Sequence, residues 1–413
     1  MRPEPAPELP SIRLSTLVFS VYIPTFLFAT GWAMVVPVIP FLARHLGATI
    51  GVAGLIVTMR GVGTLVMDLP SGMLVATLGN HRTLLLSSLG VVVTAVLTGL
   101  THSIAALLVL TLFLGGFQSS WMMSRLNYVR QAVGVHQRGR ALSFIGGTFR
   151  VGSFVGPIVG GFVGRYLGLS DVFLVQGAVG LAALVLILTT RGHFRPEEPH
   201  NTETSMLRRI GAVASAQRRP LMTGGLVVLA LMVLRSSRQI LIPLWGSSIG
   251  LDVGSVGLVL GLSSGIDMLM FYPAGLIMDR LGRKWAMIPC LVILSLSFAL
   301  LPLAVSFTSL LVVTLIAGLG NGFGSGIVMT LGADFAPDGA TGEFLGLWRL
   351  VGDVGTAAGP AAVGAIGEAL SLGAAPLFVA LVGVLGAIVM YFFTSETRRI
   401  GRRSEPPADA GSP

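Results

Sequence analysis

Charge is scarce in this chain. Of 413 residues only 11% are Asp, Glu, Lys or Arg, and 53% are apolar, whereas a soluble globular domain carries about a quarter charged residues. Such a composition excludes an ordinary water-facing globular protein, and no polar stretch is long enough to hold a separate catalytic domain. A single cysteine, Cys290, excludes a disulfide framework and a thiolate metal site, and leaves the redox compartment unread. The six histidines lie in or beside polar stretches without metal-ligand spacing. No nucleophile, base and orienting acid can be assembled from the polar residues, so neither an enzyme nor a metal or cofactor site is expected.

What the chain has instead is apolar runs. Stretches able to cross the hydrocarbon, about 20 residues each, recur almost without pause at 14–43, 52–78, 83–101, 104–124, 140–167, 172–190, 221–247, 254–278, 285–305, 308–332, 342–367 and 374–394. An all-α membrane protein of twelve transmembrane helices is expected. The first run is too long for a signal-peptide core, and Glu4 and Glu8 dilute the charge ahead of it, so it is read as a retained span. Basic loops stay on the cytoplasmic side. With the N-terminus inside, 20 of the 27 basic residues fall in cytoplasmic segments, Arg82, Arg125, Arg138 and Arg140 among them, and only Arg44 and Arg165 fall outside. Both termini are therefore expected in the cytoplasm, with the chain in the plasma (inner) membrane. The net charge of +9 is then a topological signal, and no nucleic-acid partner is expected.

The chain also repeats itself at a separation of 203 residues. Pro40 pairs with Pro243, Gly54 with Gly257, Pro70 with Pro273, Gly79 with Gly282, Gly152 with Gly355, Gly156 with Gly359, Pro157 with Pro360 and Gly161 with Gly364. An ungapped register that matches prolines as well as glycines predicts two pseudo-symmetric six-helix bundles, residues 1–191 and 221–413. A polar cytoplasmic linker, 192–220, joins them, with one surface helix over 205–216. Parallel halves of this kind place a substrate site at their interface near mid-membrane, where rocking gives alternating access.

Three motifs carry a family resemblance. Gly275, Asp279, Arg280, Gly282, Arg283 and Lys284 form a loop signature between the eighth and ninth spans. Its first-half copy is eroded to Gly72, Ala76, Thr77, Gly79 and Asn80. Gly152, Gly156, Pro157, Gly160 and Gly161 in the fifth span let helices approach closely and allow a bend. Gly31, Pro37, Val38 and Pro40 mark the first span. On these motifs the chain resembles the major facilitator superfamily over nearly its whole length, and within it the twelve-span drug and proton antiporters. The resemblance implies export coupled to protons. Two departures stand out: the better loop copy lies in the second half, and the arginine those antiporters carry early in the fourth helix is replaced near Leu112.

Five arginines, Arg60, Arg150, Arg235, Arg238 and Arg349, and three acids, Asp68, Asp267 and Asp353, remain inside spans. Each costs roughly 2.5–3.5 kcal/mol at a helix centre on insertion scales, so each needs an interior place and a partner. Ion pairs that hold the fold would account for them as well as a functional role would. In the family the second helix faces the eleventh and the fifth faces the eighth, which implies the pairs Asp68–Arg349 and Arg150–Asp267 across the halves, closing the cytoplasmic side in one state. Asp353, one turn beyond Arg349, shares that arginine or points into the cavity; a carboxylate buried there can carry a coupling proton, and Asp68 and Asp353 are the candidates for that role. Arg60, Arg235 and Arg238 are left without partners, Arg60 or Arg238 with the alternative of snorkelling to the outer interface. Arg235 and Arg238 share one face of the seventh helix, which lines the cavity in the family, and so favour an anionic ligand. Gln118, Trp121, Asn321 and Trp348 are further cavity candidates.

The expected function is secondary active transport: proton-coupled efflux of drug-like or metabolite molecules, some of them anionic, by a monomer in the lipid bilayer. Uptake of an organic anion, or lipid flipping on the same fold, are the alternatives, because fold does not fix function.

Overall fold

In hydrocarbon every backbone amide and carbonyl must be satisfied within the protein, and for a run of this length the solution is an α-helix. The computed structural model describes residues 18–133, 135–189 and 203–396, and the described residues contain no strand. After one wide turn at Val18–Tyr22 come α1 (Ile23–His45), α2 (Ile50–Leu78), α3 (Asn80–Leu100), α4 (Ile104–Ala132), α5 (Val135–Tyr166) and α6 (Asp171–Thr189). The short α7 (Glu203–Ala216) precedes α8 (Arg218–Ser248), α9 (Val253–Arg280) and α10 (Lys284–Leu300). Then follow α11 (Phe307–Phe323), α12 (Ile327–Phe335), α13 (Thr341–Ala369) and α14 (Ala374–Phe392). Together they supply twelve spans long and apolar enough to cross a membrane, α11 and α12 forming one broken span.

The 203-residue repeat holds in three dimensions. α1 and α8 end at His45 and Ser248, α2 and α9 start at Ile50 and Val253, and α5 and α13 end at Tyr166 and Ala369. Even the caps obey it. Thr49 and Asp252 accept backbone N–H groups at the starts of α2 and α9, and Ser103 and Ser306 do so at α4 and α11, satisfying amides that the helix itself cannot. The turns at Gly47 and Gly250 have φ of 86° and 81°, and those at Gly79 and Gly282 have φ of 81° and 115°. Only glycine adopts these angles without strain.

Lipid-facing helices show their apolar side outward. On α3, Leu86, Leu89, Val93 and Leu97 are exposed, while Ser87, Ser88, Thr94 and Thr98 are buried against the bundle, their hydroxyls donating to carbonyls one turn back. α1–α6 pack as one bundle and α8–α14 as the other, and the two meet chiefly where α2 lies on α13 and α5 on α9. Small residues make that seam. A methyl group on Gly54 would lie 2.6 Å from Gly364 Cα, and one on Gly257 would lie 2.3 Å from Pro157 O. Gly61 against Ala357 continues the first contact, and Gly161 against Gly254 continues the second.

These contacts occupy only the end where α2 and α9 begin, called here the far face. Both ends of the described chain, α7 and the α2/α3, α4/α5 and α9/α10 turns lie at the opposite, terminal face. There Gly72, Gly139, Gly146, Gly147, Gly275, Gly342 and Gly346 have nothing within 4 Å of where a side chain would begin. The halves therefore diverge, and a cleft opens toward the terminal face.

Several expected boundaries move. α4 runs on to Ala132, so Arg125, expected in a loop, is inside the helix. α5 starts five residues before the expected span and α8 starts at Arg218, inside the expected linker. The tenth span breaks at Gly324–Gly326, where Gly326 has φ 78°. The boundary at 191 and the basic residues Arg2, Arg13, Arg191, Arg195, Arg398, Arg399, Arg402 and Arg403 lie outside the described residues.

Candidate functional site

Two ion-pair clusters bridge the halves at the inner edge of the seam, where the paired helices begin to separate. In the first, Arg349 Nη2 on α13 donates to Asp68 Oδ1 on α2 at 2.9 Å, and Arg349 Nε lies 3.5 Å from Asp353 Oδ2. Ser119 Oγ on α4 also donates to Asp68 Oδ1. One guanidinium thus serves two acids. In the second cluster Arg150 Nη1 on α5 donates to Asp267 Oδ1 on α9 at 3.3 Å, and Ser325 Oγ approaches the same oxygen at 3.4 Å. Arg238 is within electrostatic reach of Asp267 and of Arg235. The structure thus brings together both expected pairs, but with the terminal side open. They lie where the paired helices begin to diverge toward that side.

Arg235 has a different occupation. Its Nε donates to Asn321 Oδ1 at 2.7 Å, and its Nη2 donates to Gly324 O at 2.9 Å and Asn321 O at 3.4 Å. The guanidinium caps the carbonyl end of α11 where the tenth span breaks, placing positive charge at the negative end of a helix dipole. Asn321 is thereby a partner of Arg235 and not a free cavity group. Arg60 does not snorkel: it lies 3.0 Å above the centre of the Trp32 ring and donates to Trp32 O at 3.1 Å, 5% exposed.

The remaining candidates pack within the two bundles. Trp348 is buried in the second bundle, donating to Val328 O at 2.8 Å and packing on Phe335 and Phe344. Trp121 stacks on Phe28 inside the first bundle with ring centres 4.3 Å apart. Gln118 and Gln176 line a small void within that bundle, beside Trp32. In the fifth-span motif Gly152, Gly156 and Gly160 let α5 meet α1, a methyl on Gly160 falling 2.1 Å from Met34 O, while Pro157 and Gly161 meet α9.

At the loop signature, Asp279 and Arg280 are exposed, and no ion pair joins Asp279 to Arg140 among the described residues. Arg283 Nε donates to Asp334 Oδ2 at 2.8 Å, and the backbone amides of Arg283 and Lys284 donate to Glu396. Gly275 stands in open space and Gly282 abuts the Glu396 carboxylate. Glu343, at the start of α13, pairs at 2.8 Å with Arg209 of α7.

Between α4, α5 and α9 lies a cavity of about 360 Å³, lined by Met122, Arg125, Ile145, Gly146, Phe149, Arg150, Ser153, Ser264 and Asp267. Arg125 is the residue that sequence reasoning missed. The expected fourth span ends before Arg125, yet Tyr128 and Val129 beyond it are buried, and that apolar continuation is the available signal.

Twelve spans in two like bundles, divided by a cleft that holds charged side chains at its apex and opens to one face only, define a membrane transporter. The family model of the Major Facilitator Superfamily matches residues 21–264 and 225–411. The chain belongs to that superfamily. It is 20% identical to an uncharacterised transporter of the same type from Methanocaldococcus jannaschii, over 92% of this chain and 98% of the relative. It is 25% identical to the multidrug resistance protein MdtG of Citrobacter koseri, over 91% of this chain and 93% of that protein. Among solved structures, a POT family transporter in complex with a thioalcohol-conjugated peptide superposes with a TM-score of 0.78 at 12% identity, covering 92% of this chain and 96% of the other.

Proposed function

We propose that this transporter exports drug-like or metabolite molecules from the cytoplasm across the plasma (inner) membrane as a monomer, driven by inward proton flow. In this reading the terminal face is cytoplasmic, as the distribution of arginine supports, and the cleft is the inward-facing state that loads substrate. Its likeness to a multidrug resistance protein supports the direction.

The observation that carries the reading is Arg349 held between Asp68 and Asp353 across the halves. Two carboxylates around one guanidinium leave an excess negative charge in a low-dielectric site, which a proton neutralises. The tight α2–α13 seam separates this cluster from the far face in the present state. When the seam opens, far-side protons reach the cluster and loosen Arg349's hold on Asp68. When the halves rock back, the proton leaves toward the cytoplasm. Uptake and release of the proton are thereby tied to which side is open, as alternating access requires.

The test is proton flux in proteoliposomes under an imposed pH gradient, across a panel of anionic, neutral and cationic compounds, with wild type and Asp353→Asn. Substrate-dependent dissipation of the gradient by wild type, lost in Asp353→Asn while downhill substrate exchange persists, is the expected result. Gradient-independent transport by wild type refutes proton coupling.

A further inference from the structure

We propose that Arg125 is the counter-ion site for a transported monoanion with an apolar body, of the aromatic or branched carboxylate class. The inference rests on the transporter reading above and names the substrate class of its cavity.

Arg125 is 7% exposed and lines the cavity between α4, α5 and α9. Its contacts are neutral: Nη1 donates to Thr25 Oγ1 at 3.3 Å, Nη2 approaches Met122 Sδ at 3.2 Å, and the guanidinium lies 4.7 Å from the centre of the Trp121 ring. Its Nε is buried with no hydrogen-bond partner. No carboxylate within the described residues is placed to answer it. The described part of the first bundle contains only two acids, Asp68 and Asp171. Asp68 is committed to Arg349 and Ser119, and Asp171 starts α6 at the far face. The one acid that lines the cavity, Asp267, is held by Arg150.

A guanidinium kept in a membrane interior without a counter-ion is expensive and marks a ligand pathway. The neutral contacts orient it without cancelling its charge. Trp121, itself locked against Phe28, forms a rigid floor beneath the cation. One unanswered positive charge selects one negative charge, and a guanidinium fork suits the two oxygens of a carboxylate. The rest of the wall favours an apolar body, because Met122, Ile145 and Phe149 line it. A volume of about 360 Å³ falls at the small-ligand end of the usual range for binding sites.

The experiment measures binding to purified full-length protein in nanodiscs, without any pH gradient. The probes are 4-butylbenzoate, its isosteric amide and 4-butylbenzylammonium. Wild type is expected to prefer the carboxylate to the amide by about ten- to hundredfold, the worth of a charge-assisted interaction. Arg125→Gln is expected to erase that preference while leaving amide affinity within about twofold, and Arg125→Lys to retain part of it. Size-exclusion and thermal profiles establish that each variant is folded, and Arg125→Lys carries the test if Arg125→Gln is not. No preference in wild type, no binding of the carboxylate, equal losses for both ligands, or a preference that survives Arg125→Gln each overturns the proposal. Arg125-dependent carboxylate binding without proton-driven transport would leave the site standing and refute the efflux reading. Proton-driven transport with no role for Arg125 would do the reverse.

Discussion

Substituting either member of the Arg150–Asp267 pair by alanine is predicted to weaken the present conformation by unequal amounts. The side chains are 22% and 17% exposed at a separation of 3.3 Å, and at an effective dielectric of about 20 their gross attraction is about 5 kcal/mol. Desolvation offsets part of that, but removing one partner of a buried pair leaves the other uncompensated and typically costs about 3–5 kcal/mol. The neighbours decide which loss is larger. Without Arg150, Asp267 keeps Arg238 within electrostatic reach and Ser325 at 3.4 Å. Without Asp267, both Arg150 and Arg238 lose the acid that offsets their charge. Asp267→Ala therefore belongs near the upper end of the range and Arg150→Ala near the lower, and the double variant should recover about 2 kcal/mol of the summed loss.

At 1.4 kcal/mol per tenfold, the single losses shift the balance of states by a hundredfold or more. Spin labels report it directly. Cysteines at Gly72 and Gly346, which stand in open space on α2 and α13, introduced into a Cys290→Ala background, should give a long distance in the parent. Asp267→Ala should show a shorter, terminal-side-closed population. Thermal denaturation of the four proteins closes the double-mutant cycle. Additive effects, or a greater loss from Arg150→Ala than from Asp267→Ala, would refute the account of how this cluster is wired.

Gly364→Val places a side chain where Gly54 Cα lies 2.9 Å from the first carbon, so it should force the far-face seam apart and move the Gly72–Gly346 label distance toward the short population. A label distribution identical to the parent's would mean that the seam does not set the balance of states. Arg235→Gln deletes the charge that caps α11, and should lower stability by about 1.5–3 kcal/mol per charge-assisted bond lost, with equal effects on anionic and neutral ligands. A selective loss of anions would show that Arg235 reads substrate charge after all. At the far face, burial by itself would push the Asp252 carboxyl up, but hydrogen bonds from Ser255 and Gly254, with Arg165 nearby, outweigh it and hold the group below the usual carboxylate range. A depressed folded-state pKa contributes stability above the unfolded value of about 3.9, which is lost as pH falls through the folded one. Asp252→Asn should therefore lower the melting temperature at pH 7, with the gap to wild type narrowing only below about pH 4. A gap that narrows between pH 7 and 5 would be inconsistent with that assignment.

Each replacement among the predicted site residues traces to a tertiary neighbour. Arg235 has the same sequence signature as Arg238, an arginine within a span, yet one caps a broken helix and the other lies near Asp267. The break that creates the need for that cap comes from Gly324–Gly326, where glycines that could serve close packing instead interrupt the helix. Glu343 finds its partner, Arg209, on α7, a helix that has no counterpart in the repeat.

What the sequence by itself determined is the fold. Twelve apolar runs force twelve helices because lipid offers the backbone no other partners. A repeat of 203 residues that includes prolines forces two like bundles, and eight charges within spans had to find interior places. Only the tertiary structure decided which charge answers which. Pairing depends on helix rotation and on where two helices part, quantities set by the glycine seam between the halves. Arg125 shows the difference most plainly: composition could count it as a loop charge, and only the packing of α4 against α1 and α5 shows a buried cation facing a cavity whose one acid, Asp267, is held by Arg150.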